Sequence, residues 1–283
     1  MPLEYTVTYT TTNHYQDGVH KADWQFLILP ENNADQELIS SYYENSLGAD
    51  HQFSVNGYGF QTLRIRCVHK FTEFALKATF KVLKNDINPF DFNTFNSPEK
   101  EYAIRNSLDF KIDFEPFLKR TKFTTLPPEN ETIFLFDDTQ SIFTNLQKLN
   151  TWVSEFIHFK AGVTHVDTEL HELFLKRQGV CQDYAHLFSA ISRQNGIPVR
   201  YVSGYLHQGL GYFGDSQMHA WVEAYVPLVG WIGFDPTNRI LASSDHLKIA
   251  HGKDYNDCAP LKGVIYGIGK NETKHSVQVI AQQ

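Results

Sequence analysis

The chain has 283 residues, of which 42% are hydrophobic, 20% charged and 14% aromatic; this composition is typical of a globular protein and excludes extensive disorder. The formal net charge is −7 and the 25 Lys and Arg residues are scattered, so nucleic acid is a poor partner. No run of about 18 apolar residues occurs and the start, MPLEYTVTYT, lacks a leader pattern, so we expect a cytoplasmic protein without membrane contact.

The first part of the chain, residues 3 to 84, is rich in strand signals. Tyr5, Val7 and Tyr9 alternate with threonine, and a second period-two run extends from Phe74 to Val82. Asn-rich and Gly-containing stretches separate the runs and supply turns. We therefore predict an all-β sandwich domain over residues 1–86.

A linker is predicted over residues 87–97, where Asn, Asp and Pro accumulate without a clear period. Helical signals follow it: Ser97-Pro98-Glu99 is typical of a helix start, and apolar residues recur at helical spacing from Ile142 to Phe156. A second domain is assigned to residues 98–283.

The second half of this domain alternates between helix and strand patterns. Apolar residues at helical spacing follow Cys181, and Asn195-Gly196 before Pro198 indicates the helix end. Strand patterns then cover 199–206, 219–226 and 231–235. A helix followed by an antiparallel sheet predicts an α+β domain.

The stretch GVCQDYAHL places Cys181 at the predicted helix start, where unpaired backbone N–H groups and the helix dipole favour an anion. A thiolate is the reactive form of cysteine, so this position favours a nucleophile. His219 opens one strand and Asp235 closes the next, which brings the two side by side in an antiparallel pair. The carboxylate would then orient the imidazole toward the sulfur.

Three stretches carry a family resemblance: RQGVCQDYAHLFSAISRQNGIPVRYVSGYL, MHAWVEAYVPLVGWIGFDPTN and HLKIAHGKDYNDCAPLKGVIYG. They resemble the transglutaminase-like superfamily, specifically its bacterial group of cysteine proteases, and residues 3 to 84 resemble that group's N-terminal domain more weakly. The segment 86–150 carries no motif of the group, and Asn256 and Cys258 depart from its C-terminal signature, which affects the expected shape of the substrate cleft.

The resemblance implies a papain-like catalytic domain, with Cys181 as nucleophile, His219 as base and Asp235 as orienting acid. It implies a cysteine-dependent hydrolase of peptide, isopeptide or other amide bonds that forms a thioester acyl-enzyme. The partner would be a peptide or protein substrate. Two alternatives stay open: a protein-glutamine transglutaminase with an amine as acceptor, and a non-catalytic protein that holds a peptide in a cleft of this type.

No cofactor or metal is expected. Cys67, Cys181 and Cys258 are too far apart for a close-spaced zinc cluster and odd in number, so reduced thiols are predicted. Zinc bound by Cys181, His219 and Asp235 is the alternative, but a helix-start cysteine facing a His-Asp strand pair fits nucleophilic catalysis better. Asp183 is predicted to cap the helix. Glu223, on the same strand face as His219, either lines the site or binds Arg200.

Overall fold

A computed structural model describes residues 2–92 and 97–282 as two antiparallel sheets with helices against the smaller sheet. The larger sheet has seven strands: β1 Leu3–Phe26, β2 Gln36–Asn45, β3 His51–Val55, β4 Gln61–Cys67, β5 Phe71–Lys84, β13 Leu261–Gly267 and β14 Asn271–Gln282. Their order is β2-β5-β1-β4-β3, with β13 and β14 both paired to β1.

Strand β1 organises the larger sheet because its 24 residues have partners along both edges. Its first half pairs with β5 and β14, and its second half pairs with β4 and β13. The flanking strands are interrupted where β1 bulges near Gly18, whose φ of 70° favours glycine. The last two strands of the chain therefore complete the sheet that its first residues begin.

The all-β sandwich predicted for residues 1–86 is not confirmed: β1 to β5 are strands, but they belong to one curled antiparallel sheet that β13 and β14 complete. The buried face of that sheet packs against residues from much later in the chain, including Tyr205 and Leu247. Period-two alternation reports that one face is buried but does not report what covers it. The domain division at 87–97 stays a prediction, and residues 93–96 of that linker lie outside the described residues.

The smaller sheet has five strands in the order β11-β10-β9-β8-β12. These strands are β8 Val199–Leu206, β9 His219–Val226, β10 Gly230–Asp235, β11 Ile240–Leu241 and β12 His246–Gly252. Two short strands, β6 His158–Phe159 and β7 Gln178–Gly179, pair in parallel. Strand β7 directly precedes the helix that begins at Cys181. The strand bounds predicted from the pattern agree with β8, β9 and β10 to within one residue.

The α-helices are α1 Pro98–Asn106, α2 Leu108–Asp113, α3 Glu115–Leu118, α4 Ile142–Phe156, α5 Leu170–Lys176, α6 Cys181–Gln194 and α7 Tyr255–Cys258. Apolar residues of α4 and α6, among them Leu146, Leu149 and Phe188, form a second core against β9 and β10. Helices α4 and α6 thus cover one face of the smaller sheet. The larger sheet packs against part of the other face, where phenylalanines of α2 and α3 also contact Tyr225 and Trp231. In the parts of the chain described, no helix has the length and apolar character to cross a membrane.

Candidate active site

Cys181 is the first residue of α6, a helix of 14 residues. Its side chain is partly exposed, whereas Cys67 and Cys258 are buried, and all three thiols are free. The Cys181 Sγ lies 4.0 Å from the carbonyl oxygen of Met218, the residue before β9. The structure therefore places this thiol between the positive end of a helix and the start of a strand.

The turn into α6 is held by Asp183, as the sequence predicts. Its carboxylate accepts the backbone N–H of Val180 at 2.8 Å and the hydroxyl of Thr164 at 2.7 Å. Burial raises the pKa of Asp183, and these donors lower it in part. A side chain at Gly179 would have its Cβ 2.5 Å from the same carboxylate, so the turn requires glycine there.

His219 and Asp235 meet at one end of the smaller sheet. Phe234 lies opposite Val222, so Asp235 lies one residue beyond the last pair on β10 and His219 lies three residues beyond it on β9. This diagonal placement lets Nε2 of His219 approach Oδ2 of Asp235 to 2.8 Å. Both side chains are fully buried, so the pair is shielded from water.

The carboxylate of Asp235 accepts hydrogen bonds on both oxygens. Oδ1 accepts the backbone N–H groups of Thr237 at 3.0 Å and Asn238 at 3.2 Å. Oδ2 accepts the side-chain amide of Asn238 at 2.8 Å and lies 3.2 Å from Nε2 of His246. Burial would raise the pKa of Asp235, but the two histidines and their hydrogen bonds lower it well below the usual range.

The imidazole of His219 is electrostatically coupled to both neighbours. Burial by itself lowers its pKa, whereas Asp235 and then the Cys181 thiol raise it, and the net effect is a raised pKa. Its second nitrogen, Nδ1, is buried and makes no hydrogen bond with any residue the structure describes. The ring is therefore held by Asp235 on one side and has an unused nitrogen for the neighbouring thiol.

Gly214 closes over this unused nitrogen. A Cβ at this position would lie 2.8 Å from Nδ1 of His219, and the φ of 86° also favours glycine. Phe213, the preceding residue, stacks on Phe159 of β6 with ring centroids 4.8 Å apart. Asn238 ties this loop to the cluster, because its Oδ1 accepts the Phe213 N–H at 2.7 Å while its amide donates to Asp235.

Two members of the cluster, Asn238 and His246, are missing from the prediction. Asn238 follows Asp235 by three residues, a spacing typical of an Asx-type turn, which is a signal that sequence reading could have used. His246 is the first residue of β12, and no pattern in the neighbouring residues marks it as part of the site. Only the arrangement of the strands in the sheet brings it close to Asp235 at the end of β10. Glu223 does not reach the cluster: Lys248 binds it at 2.8 Å and Arg200 at 3.6 Å.

The side chains of His219, Asp235 and His246 lie close enough together to hold a metal ion, with ligand atoms within 4.8 Å of one another. Hydrogen bonding argues against this use. Nδ1 of His246 accepts the backbone N–H of Ser243 at 3.3 Å, so a neutral ring carries its proton on Nε2 and donates to Asp235. A nitrogen that carries a proton is not a metal ligand, and the cluster fits a hydrogen-bonded arrangement better.

Comparison with known proteins gives one family match and several relatives. Residues 135–236 match the model of the transglutaminase-like superfamily. An uncharacterized Mycobacterium leprae protein is 36% identical over 132 residues, which is 45% of this chain and 47% of that protein, so the chain spans about half of that relative's length. A Mycobacterium tuberculosis protein, also uncharacterized, is 26% identical over 94% of this chain and 89% of its own length.

A solved structure has the same overall fold. It is a proposed cysteine protease from Cytophaga hutchinsonii, 19% identical in sequence, which superposes with a TM-score of 0.77 over 100% of this chain and 92% of its own. At this identity the likeness concerns the fold alone. Residues 135–236, which match the family model, make up about a third of the chain, and the similarity to the transglutaminase-like superfamily concerns that segment.

Proposed function

We propose that this protein is a cysteine-dependent hydrolase of peptide, isopeptide or other amide bonds, with Cys181 as nucleophile, His219 as base and Asp235 as orienting acid. One observation carries the proposal: a fully buried His219 binds Asp235 at 2.8 Å through Nε2 and leaves Nδ1 unpartnered, while the partly exposed Cys181 thiol lies 4.0 Å from the carbonyl oxygen of Met218, the residue before His219. A nucleophile, a base and an orienting group in this order are the parts that acyl transfer needs.

The reaction follows from these positions. Nδ1 of His219 takes the proton of the Cys181 thiol, and the sulfur forms a bond to the carbonyl carbon of the substrate. The imidazolium then gives its proton to the amide nitrogen, the C–N bond breaks, and an amine leaves from a thioester. Water, deprotonated by His219, attacks the thioester, so that a carboxylic acid leaves and the thiol is restored.

The negative oxygen formed during each attack requires a donor near the sulfur. We assign the backbone N–H of Cys181 to this role, since the N–H groups of the first helical turn have no partner within the helix. Asp235 stays ionised throughout and stabilises the imidazolium.

A transglutaminase is the second candidate. A protein-glutamine gamma-glutamyltransferase from Pseudomonas aeruginosa is 33% identical over 104 residues, which is 33% of this chain and 16% of that protein. Both reactions share the acyl-enzyme and differ in whether water or an amine attacks it. We favour hydrolysis, since the acidic chain presents no feature that marks a lysine-acceptor site.

The first test is the rate of Cys181 alkylation by iodoacetamide at neutral pH, followed by mass spectrometry. Preference for Cys181 over Cys67 and Cys258 is not sufficient, because the latter two are buried. We expect Cys181 to react faster than the cysteine of an unstructured reference peptide, and to lose this advantage in His219→Ala. Equal rates for the parent protein, the variant and the peptide would contradict the nucleophile assignment.

The second test separates the acceptors. The protein is incubated with a labelled peptide library, with and without an added primary amine, and the products are identified by mass spectrometry. Hydrolysed products whose yield falls little with the amine support the hydrolase. Amine adducts as the main products favour the transglutaminase, and peptide binding without any turnover favours a non-catalytic protein.

A further inference from the structure

A second imidazole, that of His246, shares a carboxylate oxygen with the His219 ring. Nε2 of His246 lies 3.2 Å from Oδ2 of Asp235, the same oxygen that lies 2.8 Å from Nε2 of His219. The His246 side chain is only 1% exposed and packs edge-on against Trp221, with ring centroids 5.2 Å apart. The His246 ring is therefore held in place beside the Asp235 carboxylate and shielded from water.

The direction of this hydrogen bond is set from the other side of the ring. The backbone N–H of Ser243 points at Nδ1 of His246 over 3.3 Å, which makes Nδ1 an acceptor. A neutral imidazole then carries its proton on Nε2. Burial lowers the pKa of His246, so the neutral ring is the favoured form. His246 thus donates to Asp235 whatever the protonation of His219.

This donor is not needed to orient the carboxylate. Thr237 and Asn238 hold Oδ1 through their backbone N–H groups, and the Asn238 amide holds Oδ2. What His246 adds is the positive end of an N–H dipole beside Oδ2. That dipole offsets part of the carboxylate charge and lies close to the nitrogen at which His219 binds. Both effects weaken the attraction between Asp235 and a protonated His219.

We propose that His246 is a positioning residue that shares Oδ2 of Asp235 with His219 and so moderates the hold of this carboxylate on the His219 proton. The consequence rests on the function proposed above. An imidazolium held too tightly is a poor acid, so moderation by His246 helps His219 to give its proton to the leaving amine. The titratable groups that act on His246 are Asp235 on β10, His219 on β9 and Asp245, just before β12.

The test is an NMR titration of histidines labelled at Cε1, in full-length protein carrying Cys181→Ala and in the presence of EDTA. Removal of the thiol separates the His219 titration from that of Cys181 and makes the result independent of the nucleophile assignment. The His219 signal is identified by its loss in His219→Gln. His246→Phe removes the donor and keeps an aromatic ring against Trp221, and His246→Gln keeps a side-chain N–H.

We expect the His219 midpoint to rise by about half to one pH unit in His246→Phe, because Asp235 loses a donor that offsets part of its charge and only part of that effect acts on the neighbouring ring. His246→Gln should restore the original midpoint. His251→Phe is the matched control: it removes another histidine of β12, one that makes no contact with Asp235 in the described structure, and should leave the midpoint unchanged.

An unchanged midpoint in a folded His246→Phe variant would reduce His246 to a packing residue, and a lowered midpoint would show that it holds the carboxylate in place. His246→Leu is prepared in case the phenylalanine variant does not fold. The parent protein gives an additional decision: nitrogen-15 shifts must show His246 neutral with its proton on Nε2 at pH 7, and the opposite tautomer or a charged ring overturns the proposal. Failure of Cys181 alkylation, by contrast, would overturn only the proposed function.

Discussion

Two buried histidines, His186 and His219, have opposite electrostatics. His186, on α6, stacks on Phe123 at 5.3 Å and accepts the backbone N–H of Tyr255 at 3.2 Å. Burial, with a contribution from Arg193, lowers the pKa of His186 to about 3. Asp235 and Cys181 instead raise the pKa of the equally buried His219.

The difference shows what allows a buried imidazole to hold a proton. Burial alone removes the proton, and the ring becomes a neutral packing element. A buried carboxylate at 2.8 Å reverses this and allows the ring to hold a proton close to a thiol. The protonation of the His219 ring therefore depends on Asp235 rather than on the burial of the site.

Substitution of the thiol should have the largest effect. Cys181→Ala removes the attacking atom, and we expect peptide turnover to fall by at least about 10³-fold, as for loss of a nucleophile in other acyl-transfer enzymes. Cys258→Ala is the control, since its thiol is buried and points to the carbonyl of Tyr201 at 3.7 Å. Turnover by Cys181→Ala equal to that of the parent would contradict the proposed mechanism.

Asp235→Asn should make His219 resemble His186. The new amide NH₂ would face three donors, so His219 would have to turn Nε2 into an acceptor and place its proton on Nδ1, where it can no longer receive the thiol proton. We expect a loss of about 10³- to 10⁴-fold in kcat/KM. Asp245→Asn, which removes a carboxylate that binds His207 at 3.2 Å, is the control. Comparable losses in both variants would show that Asp235 has no special role.

Gly214→Ala should impair the site without changing a polar group. Its Cβ would lie 2.8 Å from Nδ1 of His219, so the ring or the loop must move away from the thiol. We expect a loss of about 10- to 100-fold in kcat/KM, because small displacements of reacting groups are costly. Gly209→Ala is matched in backbone strain, with φ of 94° but nothing within 4 Å of the added Cβ, and should retain most activity. Equal losses would attribute the effect to strain alone.

The next prediction concerns stability rather than turnover. Because the pKa of His186 is lowered to about 3, the unfolded chain binds a proton below about pH 6.5 while the native chain does not. The free energy of unfolding therefore decreases as the pH is lowered from about 6.5 to about 3. The slope is at most about 1.4 kcal/mol per pH unit. His186→Phe should remove this contribution, as measured by urea unfolding between pH 4 and pH 7. An unchanged slope would show that His186 is already charged in the native protein.

His219 should contribute with the opposite sign. Because its pKa is raised in the native state, its stabilisation is fully present below pH 6.5 and is lost as the pH rises toward the native value. His219→Phe should therefore flatten the alkaline side of the same stability profile. The two variants, measured together, test whether the two rings contribute to stability with opposite sign.

Local patterns predicted the elements that carry the candidate site. Apolar residues at helical spacing gave the span of α4, from Ile142 to Phe156, and the glycine before Pro198 indicated the end of α6. The strands that bear His219 and Asp235 were equally visible, because period-two alternation is a property of neighbouring residues. The catalytic roles of Cys181, His219 and Asp235 remain predictions.

The sequence by itself determined α4, α6 and the strands β8 to β10, the position of Cys181 at a helix start and the adjacency of His219 and Asp235, since each depends on residues close together in the chain or on one tight turn. Only the tertiary structure decided that β13 and β14 complete the first sheet and that His246 binds Asp235. Those contacts join residues far apart in sequence, and they form because buried faces and buried charges must find partners.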